Sequence, residues 1–87
     1  MNFEYDPKKS ASNIEKHGIS FEDATSLWKD PDLIELTAKN LDELRFLVIG
    51  KIGEKHWSAI TTHRNDKVRI ISVIRSRQKE IEIYEGN

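Results

Sequence analysis

Three apolar runs follow one another from Leu44 to Ile74 with only short polar turns between them, and that spacing constrains the fold more than any other feature. "LRFLVIGKI" turns within "GKIGEK", "HWSAITTH" turns at "RNDK", and "VRIISVI" follows. Each run is rich in β-branched and aromatic residues, which suit a pleated, half-buried strand. A parallel return would need a crossover of about a dozen residues, so connections this short can only be hairpins. The three strands therefore form an antiparallel meander, and "DLIELT" (Asp32 to Thr37) supplies a fourth strand ahead of them.

The N-terminal third has helical punctuation. After a short strand in "FEYD" (Phe3 to Asp6), Asp6 can accept from the free N–H groups of a helix start, and Pro7 suits the first helical position. Gly18 supplies a left-handed C-terminal residue, with Lys16 and His17 in the last turn where the macrodipole favours cations. Pro7 to His17 is thus predicted to be a helix with Ala11 and Ile14 as a thin apolar stripe. A second helix starts at the N-cap Ser20, buries Phe21, Ala24, Thr25 and Trp28 at helical spacing, and ends at Asp30-Pro31. In "SRQKEIEIYEGN", Ile81 and Tyr84 after a Ser76 cap suit a short closing helix. The expected fold is α+β: a short N-terminal strand and two helices packed on a four-stranded antiparallel sheet, a short C-terminal helix, and the other sheet face open.

At 87 residues the chain is expected to form one domain spanning 1–87. With no cysteine, disulfides, thiolate zinc sites and thiol nucleophiles are excluded. No basic-then-apolar leader and no long apolar run is present, so a cytoplasmic protein without membrane association is expected. The net charge of −1 hides an asymmetry. Residues 1–43 carry five lysines against ten carboxylates, whereas residues 44–87 carry nine Lys/Arg against five. Such a split points to a polyanion-facing side.

The positive charge is concentrated in "HRNDKVRIISVIRSR". Strict alternation puts Val68, Ile70, Ser72 and Ile74 on one face of that strand and Arg69, Ile71, Val73 and Arg75 on the other. Lys67 and Arg69 read as ordinary strand-end charges. Arg64, Arg75, Arg77 and Lys79 are more cations than solubility requires, and the arginine fork suits phosphate. Arg64 and Arg75 lie at opposite ends of the paired strands, so their convergence on one groove needs sheet twist and a folded-back C-terminal segment.

"FEYDPKKSASNIEKHGISFEDA" resembles the start of BrnT-type toxins, whose pattern runs F-x-W/Y-D-P-x-K and then N-x-x-K-H-G-[VI]-S-F-x-x-A. Asp30-Pro31, "R-F-x-x-I-G" at Arg45 to Gly50, "T-x-R" at Thr62 to Arg64, and "RIIS" followed by basic residues and "Y-E" continue the pattern in order. The resemblance implies a RelE-like fold and a toxin of a type II toxin–antitoxin pair that blocks translation by cleaving RNA without a metal. It also implies a BrnA-like DNA-binding antitoxin as partner, operator DNA reached only through that antitoxin, and oligomeric complexes with it. One departure stands out: where the family often reads R-I-I-S-x-R-[RK], this chain has Ile74, with its arginine at Arg75.

Metal-free cleavage uses the RNA 2′-OH as nucleophile and needs a base, an acid, and cations for the charge that builds on the phosphoryl oxygens. No cofactor or metal is expected. Arginine does not give up its proton, so Arg64 and Arg75 are cast as clamps. The base is Glu80 or a neutral histidine. On a helix Glu80 and Tyr84 lie one above the other at i, i+4 and form a carboxylate–phenol pair. His17 suits acid–base work near neutrality, although a histidine at a helix end more commonly just satisfies carbonyls. Arg45, Arg77, Lys79 and Lys16 are the expected RNA-binding positions. His56 and His63 lack ligand-like spacing; Trp57 is either a base-stacking or an edge-of-core residue, and Trp28 is assigned to the core. Two functions remain: a ribonuclease toxin, or a weakened toxin that serves as antitoxin co-repressor or RNA-binding module.

Overall fold

In a computed structural model, described for residues 1–38 and 43–86, nine short elements follow in order. They are β1 (Asn2–Glu4), α1 (Pro7–His17), α2 (Phe21–Ala24), a 3₁₀ turn (Thr25–Lys29), β2 (Ile34–Ala38), β3 (Arg45–Ile52), β4 (Lys55–Arg64), β5 (Lys67–Arg75) and α3 (Gln78–Glu85). The class is α+β, as expected. The sheet, however, has five strands rather than four and is mixed, in the order β1-β5-β4-β3-β2. β1 lies parallel to β5, with Phe3 opposite Val68, while the other neighbours are antiparallel. No hairpin turn announces a pairing between residues this far apart in the chain. The β4–β5 turn does follow from its residues: Asn65 and Asp66 both take positive φ, as a two-residue hairpin turn of this kind requires.

The predicted caps of α1 are present. Asp6 Oδ1 accepts from Lys8 N at 2.8 Å, and Gly18 takes φ 82° and donates to Ile14 O. Its buried face is not the predicted one. Ser10 and Asn13 are buried, whereas Ile14 is 51% exposed and Ala11 faces solvent. β1 covers only the first three residues of β5, and α1 covers the edge beyond it. A bare strand edge presents N–H and C=O groups, so the helix meets it with polar side chains. Asn13 Nδ2 donates to Ile19 O (2.8 Å) and Val73 O (2.9 Å), and Ser10 Oγ accepts from Phe21 N (2.9 Å).

α2, capped by Ser20 Oγ on Asp23 N, is a single turn that tightens into the 3₁₀ segment. Both lie on one sheet face, where Ile19, Phe21, Ala24 and Leu27 pack on Val48, Trp57, Ala59, Ile70 and Val73. Gly50 permits this approach, because a Cβ there would lie 2.9 Å from Leu33 Cδ1. Trp28, expected in the core, is half-buried at its edge and meets Phe3 edge-on with centroids 4.9 Å apart.

Strict alternation along β5 fails at one point. Ile60 pairs with Ser72 but Thr61 pairs with Ile70, so Ile71 is an extra residue, a β-bulge. Beyond it the faces exchange: Val73 and Arg75 join Val68 and Ile70 on the helix-bearing side, and Ser72 and Ile74 turn to the opposite side. That second face is not wholly open. α3 packs across its end against β3, where Ile49 is fully buried.

Candidate functional site

The second face of the sheet holds the densest meeting of polar groups with the residues that the sequence singled out. A cleft of about 390 Å³ has Leu47, Ile60 and Ile74 among its walls. Ser58 and Ser72 stand beside them, and His17, Arg77 and Glu80 complete it. They arrive from β3, β4, β5, α1 and the start of α3. The bulge turns Ser72 and Ile74 into the cleft; α1 ends at Gly18 and leaves His17, exposed, at its rim; α3 brings Glu80 over β4.

Glu80 is held rather than free. Its Oε1 accepts from Ser58 Oγ (3.0 Å) and from Arg77 N (2.8 Å), and Ser58 Oγ lies 2.7 Å from Ser76 Oγ. Arg77 Nη1 is 3.6 Å from Glu80 Oε2, with the arginine side chain 75% exposed and the glutamate 13%. Ser76, expected to cap α3, is thus part of this serine pair, and Glu80 itself reaches back to close the helix start. A carboxylate fixed by two donors, an exposed guanidinium and an imidazole around one concavity can accept a proton, donate one and hold an anion.

The remaining predicted site residues lie elsewhere. Tyr84 does not join Glu80. Its hydroxyl donates to Asp30 Oδ2 at 2.7 Å, and that carboxylate also accepts from the amides of Lys51 and Asp32, each at 2.8 Å. Burial, with this bond to Asp30, pushes the Tyr84 phenol up to about 12. Burial alone would raise Asp30, but donation from Tyr84, Asp32 and Lys51 outweighs it and holds the carboxyl below its ordinary value. His56 Nε2 sits 2.6 Å from Glu85 Oε2, so α3 is anchored at its far end by two polar contacts.

Arg64 and Arg75 do not converge. Arg64 pairs with Lys67 at the hairpin turn and Arg75 with Trp57 at the other end, seven residues of β4 away, or about 23 Å at roughly 3.3 Å per residue. They also face opposite sides, Arg75 lying on the helix-bearing side with its guanidinium 5.4 Å from the Trp57 ring centroid. Trp57 itself is buried in the core. Arg45 shares the second face near the hairpin end and is tied to Glu43 at 3.2 Å. Lys79 is exposed on the first turn of α3, and Lys16 is exposed on the last turn of α1. Among the described residues no group of three or more His, Asp or Glu side chains could hold a metal ion.

Ser58, Ser72 and Ser76 were not legible as site residues, because only the strand register brings them to Glu80 and His17. The N-x-x-K-H-G pattern did flag Asn13, whose amide positions α1 and hence His17.

No helix is long and apolar enough to cross a membrane among the described residues. No characterised protein matches the chain closely in sequence. The family described as "Ribonuclease toxin, BrnT, of type II toxin-antitoxin system" matches residues 5–80, a span that includes α1, the bulge at Ile71 and Glu80. The chain belongs to the BrnT ribonuclease toxins of type II toxin–antitoxin systems.

Proposed function

We propose that this BrnT chain cleaves RNA without a metal, in the cleft on the second sheet face, and thereby inhibits translation. The meeting of His17, Arg77 and Glu80 around one cavity carries the reading. Glu80 takes the proton of the 2′-OH, whose oxygen bonds to the adjacent phosphorus. The bond from phosphorus to the 5′-oxygen breaks, and His17 as imidazolium protonates that oxygen. Arg77 holds the phosphoryl oxygens as their charge builds. The products are a 2′,3′-cyclic phosphate and a free 5′-hydroxyl. Arg64 and Arg75 serve no common phosphate in this scheme, and Tyr84 anchors α3. The family membership implies an antitoxin; a BrnA-like DNA-binding protein that neutralises the toxin and links it to operator DNA fits that role, in the cytoplasm where translation is the target.

Incubating purified protein with RNA in the presence of a chelator tests the scheme. Cyclic-phosphate ends are expected from the unaltered chain and not from Glu80→Gln or His17→Ala. Intact RNA, or cleavage that both variants retain, would remove these residues from the chemistry.

One observation favours a second reading. Ile74 stands inside the cleft, beside Ser58, at the place where the family pattern often has arginine. A cleft with an aliphatic wall there and one exposed arginine gives less charge stabilisation, as in a weakened toxin that acts as co-repressor or RNA-binding module.

A further inference from the structure

The cleft continues over the edge of β5. A second cavity of about 310 Å³ shares His17 and Ser72 with the first and runs along α1, lined also by Lys9, Ser12, Lys16 and the bulge residue Ile71. Lys9 and Lys16 are seven residues apart, two helical turns, so their Cα atoms stand on one side of α1 about 10 Å apart. Ser12 lies between them. Its charged lining groups are lysines, with one histidine and no carboxylate. The cavities near Tyr84 and near Val68 carry Asp30, Asp32 and Glu85, and Asp66.

The alternative path from the cleft runs along β4 toward the hairpin. There the nearer cations are engaged, Arg45 by Glu43 and Arg69 by Glu4 at 2.7 Å, and only at the far hairpin do Arg64 and Lys67 lie without a carboxylate at ion-pair distance among the described residues. Among the described residues, neither Lys9 nor Lys16 has a carboxylate at ion-pair distance. Unpaired cations release their counterions to an incoming polyanion; paired ones must first give up a partner. The α1 frame is also fixed, by the cap at each end and by Asn13 on Val73.

From this arrangement we infer that Lys9, Ser12 and Lys16 form a phosphate-binding track for the RNA strand next to the scissile linkage, so that the substrate crosses the β5 edge onto α1 instead of following β4 to Arg64. The inference rests on the cleft being the RNA-cleaving site. It assigns Lys9 and Ser12 a substrate role and gives Lys16 a defined neighbour, one phosphate to each ammonium.

The probe is a short single-stranded RNA methylated at every 2′-oxygen, which binds without being cut, titrated by fluorescence anisotropy across a range of potassium chloride. Lys9→Gln/Lys16→Gln is compared with Lys55→Gln/Lys67→Gln, which removes the same charge from exposed positions at the starts of β4 and β5. The α1 double variant is expected to lower the log–log salt slope by about 1.4, or 0.7 per phosphate, and to weaken binding about tenfold near 0.1 M salt. Its melting temperature should be unchanged and the comparison variant should bind as the unaltered chain does. Equal loss in both variants would overturn the track, as a general charge effect. So would unaltered RNA binding by the α1 variant together with lost binding to its antitoxin, which would make the cavity a protein-docking face. If the unaltered chain cuts ordinary RNA and the α1 variant matches it in binding and cutting, the track falls and the cleavage site stands. If the unaltered chain neither binds the probe nor cuts RNA, both fall.

Discussion

Asn13 and Val73 are bonded through both polar ends of one amide: Nδ2 donates to Val73 O at 2.9 Å, and Val73 N donates to Oδ1 at 3.3 Å. The side chain occupies the place of a neighbouring strand where β1 has ended. Asn13→Ala would leave the Val73 N–H, its carbonyl and the Ile19 carbonyl without their buried partner. The expected loss is about 3 kcal/mol, at about 1 kcal/mol or more for each orphaned group. Asn13→Asp is expected to do at least as badly near neutrality, because it sets a carboxylate against two carbonyl oxygens. Urea unfolding of both variants checks this; a loss within error for Asn13→Asp would show that the amide does not bridge the edge.

Thr61, opposite Ile70 at the bulge, is fully buried and its Oγ1 has no hydrogen-bond partner among the described residues. Valine has nearly the same shape without the hydroxyl. Thr61→Val should therefore stabilise the fold by about 1 kcal/mol, since no bond is lost and a desolvation penalty is relieved. For a chain of this size that corresponds to a rise of about 4–8 °C in melting temperature. A fall would mean that a bound water or a rearranged rotamer satisfies the hydroxyl in solution.

Local chemistry was legible and register was not. Asp6, Pro7 and Gly18 set both ends of α1 at the predicted residues, because a cap acts within one turn of itself. The polar side by which α1 is buried was hidden, since it depends on where β1 stops pairing with β5, some sixty residues on. In "RIISVI" apolar residues fill both sides of the strand, so nothing in the pattern marks the residue at which the period slips. That slip exchanged the faces of Val73, Ile74 and Arg75. It is also why Arg75, expected among the phosphate ligands, lies over Trp57 while Ile74 faces Glu80. His17 and Glu80 were named from residue type and family pattern, and their proximity came only from the fold.

Tyr84 and Asp30 hold α3 to the loop before β2. Tyr84→Phe removes the hydroxyl donor but keeps the ring, with an expected cost of about 1–2 kcal/mol for a hydrogen bond to a charged acceptor. The pH dependence follows from the two shifts. Asp30 is depressed, so its contribution is present above the ordinary carboxyl range near 4 and fades as pH falls through the lower folded value. Tyr84 is raised to about 12, so its contribution is complete below about 10 and is lost as pH rises through 12. Between these limits the pair should give a flat stability profile. In Tyr84→Phe the acid-side loss should be smaller and complete at higher pH, because Asp30 no longer receives the phenol's hydrogen bond and its folded value moves back toward the unfolded one. Chemical denaturation from pH 3 to 8 reads this shift, and superimposable acid limbs would contradict it.

The two arginines nearest the end of β5 should separate by role. Arg77 lines the cleft, so Arg77→Ala is expected to lower kcat about a hundredfold, the usual scale for losing one donor to a developing oxyanion. Arg75 stacks on Trp57 from the helix-bearing side, so Arg75→Ala should cost about 0.5–1 kcal/mol of stability, with kcat little changed. Single-turnover cleavage beside a thermal melt distinguishes them. The opposite assignment, with Arg75 catalytic and Arg77 dispensable, would mean that the substrate approaches the helix-bearing side.

Ile74 decides between an active and a weakened toxin. It is half-buried opposite Ser58, within the cleft that Glu80 and His17 line. Ile74→Arg would place a guanidinium there, able to pair with phosphate once substrate enters and with Glu80 before it does. If the natural cleft lacks charge stabilisation, cleavage should rise about a hundredfold, on the scale of one added transition-state donor. Overpacking of a half-buried site should cost about 1 kcal/mol or slightly more, which the fold must tolerate for the gain to register. Induction of each form without antitoxin, with growth and total RNA followed together, reads the outcome. Arrest by both forms would mean that the aliphatic wall is compatible with full activity, since Arg77 then suffices. Arrest only by Ile74→Arg would mark the natural chain as a binder that lost its clamp at a single position. Arrest by neither form, with soluble protein in both, would remove this position from the explanation and leave the paired Glu80–Ser58 contact as the next place where catalysis could be held back.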